Sequence, residues 1–259
     1  MEAILKRDRA IIIVALAAIT LVAWAYMVKE ARAMYDTGVC CCAGLKMSGP
    51  DTSAWDTATL LPLFLMWAEM MIAMMIPSAA PMILTFALVQ RKRREQERPF
   101  VSAGLFLLGY LIVWTGFSAL AALGQWFLHA RALLSPMMVS TSSLLGGVLL
   151  VAAGVFQWTP LKHACLNHCR FPLSFLMTDW REGKAGALLM GLKHGAYCTG
   201  CCWFLMALLF VAGVMNMWWV GIITLFVLVE KVVPRGLLVG RIAGVALAAW
   251  GVWMMLAKL

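Results

Sequence analysis

Residues 60–89 read LLPLFLMWAEMMIAMMIPSAAPMILTFALV, with one ionisable side chain, Glu69, in the whole run. About 20 apolar residues suffice for a helix to cross the roughly 30 Å hydrocarbon core of a bilayer, so the stretch is long enough to span one with tilt to spare. Comparable runs lie at residues 10–28, 100–128, 139–158, 185–213, 218–233 and 237–257. The run at 218–233 is the weakest, because it is short and carries Glu230 and Lys231 near its end. Composition agrees with the runs: 63% of the 259 residues are hydrophobic and 13% charged, against about 45–50% and about 25% in soluble domains. A soluble enzyme fold could not hide that much apolar surface. The expectation is an all-α, polytopic transmembrane helical bundle of about seven spans, with residues 1–259 forming a single integral membrane domain.

Charge fixes the expected orientation. The net charge of +9 is read as a topology signal rather than a nucleic-acid footprint, because Lys and Arg concentrate in alternate loops of membrane proteins. Lys6, Arg7, Arg9, the cluster Arg91 to Arg94 with Arg98, then Lys162, Arg170, Arg181, Lys184, Lys231, Arg235 and Arg241 fall on one side. Lys29, Arg32, Lys46, Arg131 and Lys258 fall on the other, and Lys193 lies within a span. The bias of about three to one predicts the N-terminus inside. Residues 10–28 are too long for a signal h-region and read as a retained first helix. Residues 29–59 then form an outer loop and 159–184 a cytoplasmic loop. Gln157 to Pro160 should end the fourth helix, and Pro77 and Pro81 should kink the second around Met74 to Ser78, leaving carbonyls unpaired at membrane depth.

The eight cysteines come in groups: Cys40, Cys41 and Cys42; Cys165 and Cys169; Cys198, Cys201 and Cys202. Clustering in a chain of this class favours metal or thiol chemistry over disulfide stapling. His194, Cys198 and Cys202 are spaced i, i+4, i+8, and Cys201 is seven from His194, so the four share one helix stripe, which Met190 and Met206 extend. A small-residue packing face, with Gly191, Gly195 and Gly200, is the structural alternative. Met66, Met70 and Met74 form a row beside Met71 and Met75, and Glu69 in that span is a functional expectation by default, with Lys193 or a bound cation as its partner. Cys165 and Cys169 are again i, i+4, with His163 and His168 as added nitrogen donors, a site for receiving or releasing a metal at the cytoplasmic mouth; the structural alternative is an interfacial segment whose Lys162 and Arg170 anchor to headgroups. The outer triplet with Met47 is a candidate capture site, and His129 an interfacial polar residue.

Together Trp67, Met70, Ala73, Met74, Met75, Pro77 and Ser78, then Gln157, Thr159, Pro160, Leu161, Lys162, Cys165, Leu166, Cys169, Arg170 and Pro172, and Gly195, Tyr197, Cys198, Gly200, Cys201, Cys202, Trp203 and Met206 resemble a family of uncharacterised bacterial membrane proteins described as predicted metal-binding integral membrane proteins. The resemblance covers the chain from about residue 60 onward. It implies a multi-pass protein of the bacterial inner membrane that binds metal, and supplies no reaction. Cys40 to Cys42, His163 and His168 lie outside its pattern.

The candidate metal residues are therefore His194, Cys198, Cys201, Cys202, Met70, Met74, Cys165 and Cys169. Thiolate, imidazole and thioether donors suit Cu(I), and methionine argues against zinc, magnesium or manganese. The leading function is binding of Cu(I) for transport or delivery to a metalloenzyme, with the lipid bilayer and a metallochaperone or membrane metalloenzyme complex as partners. No P-loop is present to power movement. A transmembrane thiol–disulfide conduit, for which the CxxC from Cys198 to Cys201 is compatible, and an assembly subunit of a larger membrane complex are the alternatives. No catalytic residues are assigned.

Overall fold

The computed structural model describes residues 2–37, 39–40, 45–46, 59–96, 101–131 and 143–257. Its long helices are α1 (Glu2–Thr37), α2 (Leu60–Glu95), α3 (Ala103–Ala130), α7 (Gly183–Ala207) and α10 (Gly236–Leu256). The shorter ones are α4 (Ser143–Phe156), α5 (Pro160–Arg170), α6 (Pro172–Asp179), α8 (Leu209–Ala212) and α9 (Met217–Val232). A two-residue antiparallel pairing, β1 (Val39–Cys40) with β2 (Leu45–Lys46), follows α1. Cys41, Cys42 and Met47, and the Cys40 side chain, lie outside the described residues, as do the first residues of the runs expected at 100–128 and 139–158.

Among the described residues five helices are long and apolar enough to cross a membrane, or six when α4 and α5, bent by 64° at their junction, are taken as one broken span. The weakest of the expected spans, at 218–233, forms α9, only 16 residues long. Leu120 is 70% and Trp218 83% exposed; an apolar exterior of this kind is at home in lipid.

Local signals place the breaks. Thr159 caps α5 by accepting from the Lys162 amide at 3.3 Å, and Pro160 takes the first helical position, where its missing N–H costs nothing. Asn216 caps α9 through the amides of Trp218 and Trp219. Gly213, at φ 96°, makes the left-handed turn between α8 and α9 that a side chain would resist. The expected loop at 159–184 is largely helical, and Leu166, Cys169, Phe175 and Leu176 from α5 and α6 are buried in the core.

One carbonyl that the prolines are expected to leave unpaired has a partner. Helix α2 runs unbroken through Pro77 and Pro81. Pro77 has no N–H to give the carbonyl four residues earlier, Ala73, and that oxygen accepts instead from Trp24 Nε1 of α1 at 3.1 Å. A neighbouring helix therefore satisfies the freed group.

Glycine seams bring the helices together. Phe86 stacks on Phe106, Tyr110 reaches the Met75 carbonyl and Trp67 reaches Gln125, so α2 and α3 run antiparallel. Gly191 and Gly195 of α7 lie against Phe106 and Tyr110 of α3 in the same order, so α3 and α7 run parallel. A Cβ on Gly191 would overlap the Phe106 carbonyl oxygen, and one on Gly109 would stand 2.8 Å from the Leu192 nitrogen. Antiparallel α4 and α10 meet the same way, where a Cβ on Gly251 would lie 2.7 Å from the Gly147 oxygen. Small residues let backbones approach where hydrophobicity cannot drive association.

Candidate metal centre

Helix α7 presents His194, Cys198, Cys201 and Cys202 along one buried stripe, as their spacing requires, with Met190 and Met206 buried at its ends. Helix α5 lies across this stripe, and Cys165 packs on Gly200, the one position of the CTGCC segment without a side chain. The Cys169 and Cys202 thiols lie near those of Cys198 and Cys201. Two cysteine groups that lie far apart in the sequence thus meet at one place. All five cysteines are free and buried.

Cys201 and Cys202 both turn back along α7, their thiols donating to the Cys198 carbonyl at 3.0 Å each. In this arrangement no three His, Cys, Asp or Glu side chains among the described residues enclose an ion-sized position. Binding an ion through either sulfur as a thiolate removes its S–H proton and so releases its bond to the carbonyl. His194 is sandwiched among Phe106, Tyr110 and Phe175, with ring centroids 5.6–5.8 Å away. Its Nδ1 is buried without a hydrogen-bond partner among the described residues, a costly state for a polar atom and one that a cation would relieve. Thiol sulfur and imidazole nitrogen are the donor types that soft and borderline metal ions prefer.

Helix α2 reaches the cluster through its polar atoms. Lys231 Nζ of α9 donates to Cys198 Sγ at 2.9 Å and to Ser78 Oγ at 3.0 Å. The Tyr110 hydroxyl donates to the Met75 carbonyl at 3.2 Å and stands 3.1 Å from Cys198 Sγ. Met70 and Met74 are fully buried in the same core. Met74 is one turn from Ser78, and because α2 runs against α7 this turn lies level with the Cys202 end of the stripe. His168 stacks on Tyr197 at 4.0 Å with its Nδ1 on the Ala164 carbonyl. Among the described residues His163 Nε2 is buried without a partner, and His129 Nδ1 bonds the Gln125 carbonyl inside α3.

Several charges have partners that spacing did not reveal. Lys162 is 1% exposed and holds both Glu230 carboxylate oxygens, at 2.7 and 2.8 Å, together with Gln157. Arg170 donates to the carbonyls of Glu230, Val233 and Pro234. Neither residue serves as a headgroup anchor; both fasten α5 to the end of α9. The adjacent charges Glu230 and Lys231 in an apolar run were the available signal, since such residues in a span usually face a partner. Lys193 pairs with Asp179 of α6 and is not the partner of Glu69. Glu69 instead neighbours Glu30 of α1, and its Oε1 is buried without a hydrogen-bond partner among the described residues.

The described residues form a helical bundle with long apolar helices and a buried sulfur-rich cluster. A model of the PpoB2 copper chaperone family matches residues 64–254, most of the chain, and the protein belongs to that family. No curated protein and no solved structure matches it.

Proposed function

We propose that this protein binds Cu(I) at the meeting point of α5 and α7 and delivers it to a copper enzyme. The observation that carries this reading is the convergence of Cys165 and Cys169 with Cys198, Cys201 and Cys202, beside His194 with its unpartnered nitrogen. Two thiolates bind Cu(I) well, and spare sulfurs nearby let the ion change partners stepwise, which suits a carrier better than a permanent site. Membership of a copper chaperone family supports the choice of metal. Copper is here the cargo, and its loading forms Cu–S bonds without net oxidation of the protein. Thioethers of Met70 and Met74 are weaker donors, suited to transient contact on the way in or out. The lysines and arginines of alternate loops support an inside N-terminus, which would put the α5–α6 segment on the cytoplasmic side of a bacterial inner membrane.

The test is the copper content of protein purified in detergent under reducing conditions, set against a variant with Cys198, Cys201 and Cys202 changed to serine. The expected result is about one Cu(I) per chain in the parent, from the shared donor set, and its loss in the folded variant. Copper retained in the variant, or a redox-active disulfide with no copper in either, would overturn the reading.

A further inference from the structure

Lys231 is the unexplained charge of the cluster. It is 7% exposed, on the side of α9 turned toward Ser78 and Cys198. Its sequence neighbour Glu230 is committed with both oxygens to Lys162, and Ser78 is neutral. Cys201, Cys169 and Tyr110 are the further acidic groups near Lys231. An ammonium ion taken out of water without counter-charge is costly, and an acidic group at hydrogen-bond distance relieves that cost. Cys198 Sγ, at 2.9 Å, stands there.

We propose that Lys231 is the built-in counter-cation of the thiol cluster, pairing with the Cys198 thiolate in the metal-free protein and balancing the excess negative charge of a two-thiolate Cu(I) complex once cargo is bound. The second half rests on the function proposed above. The charges close in both states. Before loading, one thiolate faces one ammonium. After loading, two thiolates face Cu(I) and the same ammonium; one Cu–S bond forms on the existing thiolate, a second replaces an S–H bond whose proton leaves to water, and no electron changes hands. The buried site is neutral throughout, so copper enters and leaves without stranding charge in a low-dielectric interior. Lys231 is then a positioning residue that touches the ligand sulfur rather than the metal.

The test is a double-mutant cycle on the full-length protein in detergent, with Lys231→Met, Cys198→Ser and the two combined. Each is followed by thermal unfolding without metal and by competition for Cu(I) against a chromophoric chelator. Each single variant is expected to unfold at a lower temperature than the parent, because it strands one charge, and the combined variant to recover most of that loss. If a single variant does not fold, recovery of a monodisperse folded protein in the combined variant is the same result. Losses that add, or a single variant as stable as the parent, overturn the metal-free pairing. For the loaded state, Lys231→Arg should keep Cu(I) affinity within about threefold while Lys231→Met loses about thirtyfold or more, the scale for truncating one partner of a buried charge pair. Lys231→Met binding as tightly as the parent overturns that half. A parent that binds no Cu(I) overturns both the proposed function and the loaded-state half, while the metal-free cycle still decides the pairing by itself.

Discussion

Cys165 sits over Gly200 so closely that a Cβ on the glycine would stand 2.9 Å from the Cys165 sulfur and 3.7 Å from its Cβ. The obstructed group is a thiol that can rotate, not backbone. Gly200→Ala should therefore displace Cys165 without dismantling α7, and alanine recovers up to about 1 kcal/mol of helix propensity. The expected outcome is a melting temperature close to that of the parent, with Cu(I) affinity lowered about tenfold if one of the proposed sulfur donors is turned away. Chelator competition and thermal unfolding on one sample check both. An unchanged affinity would remove Cys165 from the proposed donors.

The seam between α3 and α7 leaves no such freedom. A methyl group on Gly191 meets the Phe106 carbonyl, and one on Gly109 meets the Leu188 carbonyl, all backbone. Gly191→Ala and Gly109→Ala should each destabilise by about 1–3 kcal/mol or more, the range for overpacking. Gly116→Ala and Gly124→Ala, on α3 with nothing within 4 Å, should be neutral or slightly stabilising. Unfolding of the four variants in one detergent separates the cases, and equal effects would deny the seam its role.

How much of the structure is legible in the sequence depends on range. Membrane helices announce themselves by length, so α1, α2, α3, α7 and α10 follow from their runs of apolar residues. The stripe from His194 to Cys202 needs only the 3.6-residue period. Helices α5 and α6, of 11 and 8 residues, fall below any spanning length, and their polar positions read as a loop. Their burial depends on partners elsewhere: Cys165 on Gly200, Lys162 on Glu230, and Arg170 on the carbonyls closing α9. Such pairings are tertiary and leave no periodic trace. Lys231 illustrates the limit, since an ammonium in an apolar run signals that a partner exists but does not say which.

The Lys162–Glu230 pair yields a third prediction. Both side chains are almost fully buried, and Gly240 makes room for the carboxylate, since any Cβ there would overlap Glu230 Oε1. Removing one partner by Lys162→Met or Glu230→Gln should cost about 3–5 kcal/mol, because the other charge is left alone. Combining them should cost far less than the sum, for a buried pair replaced as a unit is often neutral. Thermal unfolding of the three variants measures the coupling. Additive losses would mean that the two charges do not depend on each other.

The bond from Trp24 to Ala73 makes a prediction about a helix rather than a site. Proline at position 77 removes the donor that the Ala73 carbonyl would otherwise have, and at membrane depth there is no water to replace it. Trp24 Nε1, from α1, supplies the proton at 3.1 Å, so α1 is tied to α2 by a bond that exists because of the proline. Trp24→Phe keeps most of the ring and removes the donor; it should destabilise by about 1–3 kcal/mol, the cost of an unsatisfied buried carbonyl. In a Pro77→Ala background the helix provides its own N–H to Ala73, and the same substitution should then cost less than half as much. Unfolding of the four proteins in this cycle decides the matter. A Trp24→Phe penalty of equal size in both backgrounds would mean that the indole acts by packing alone.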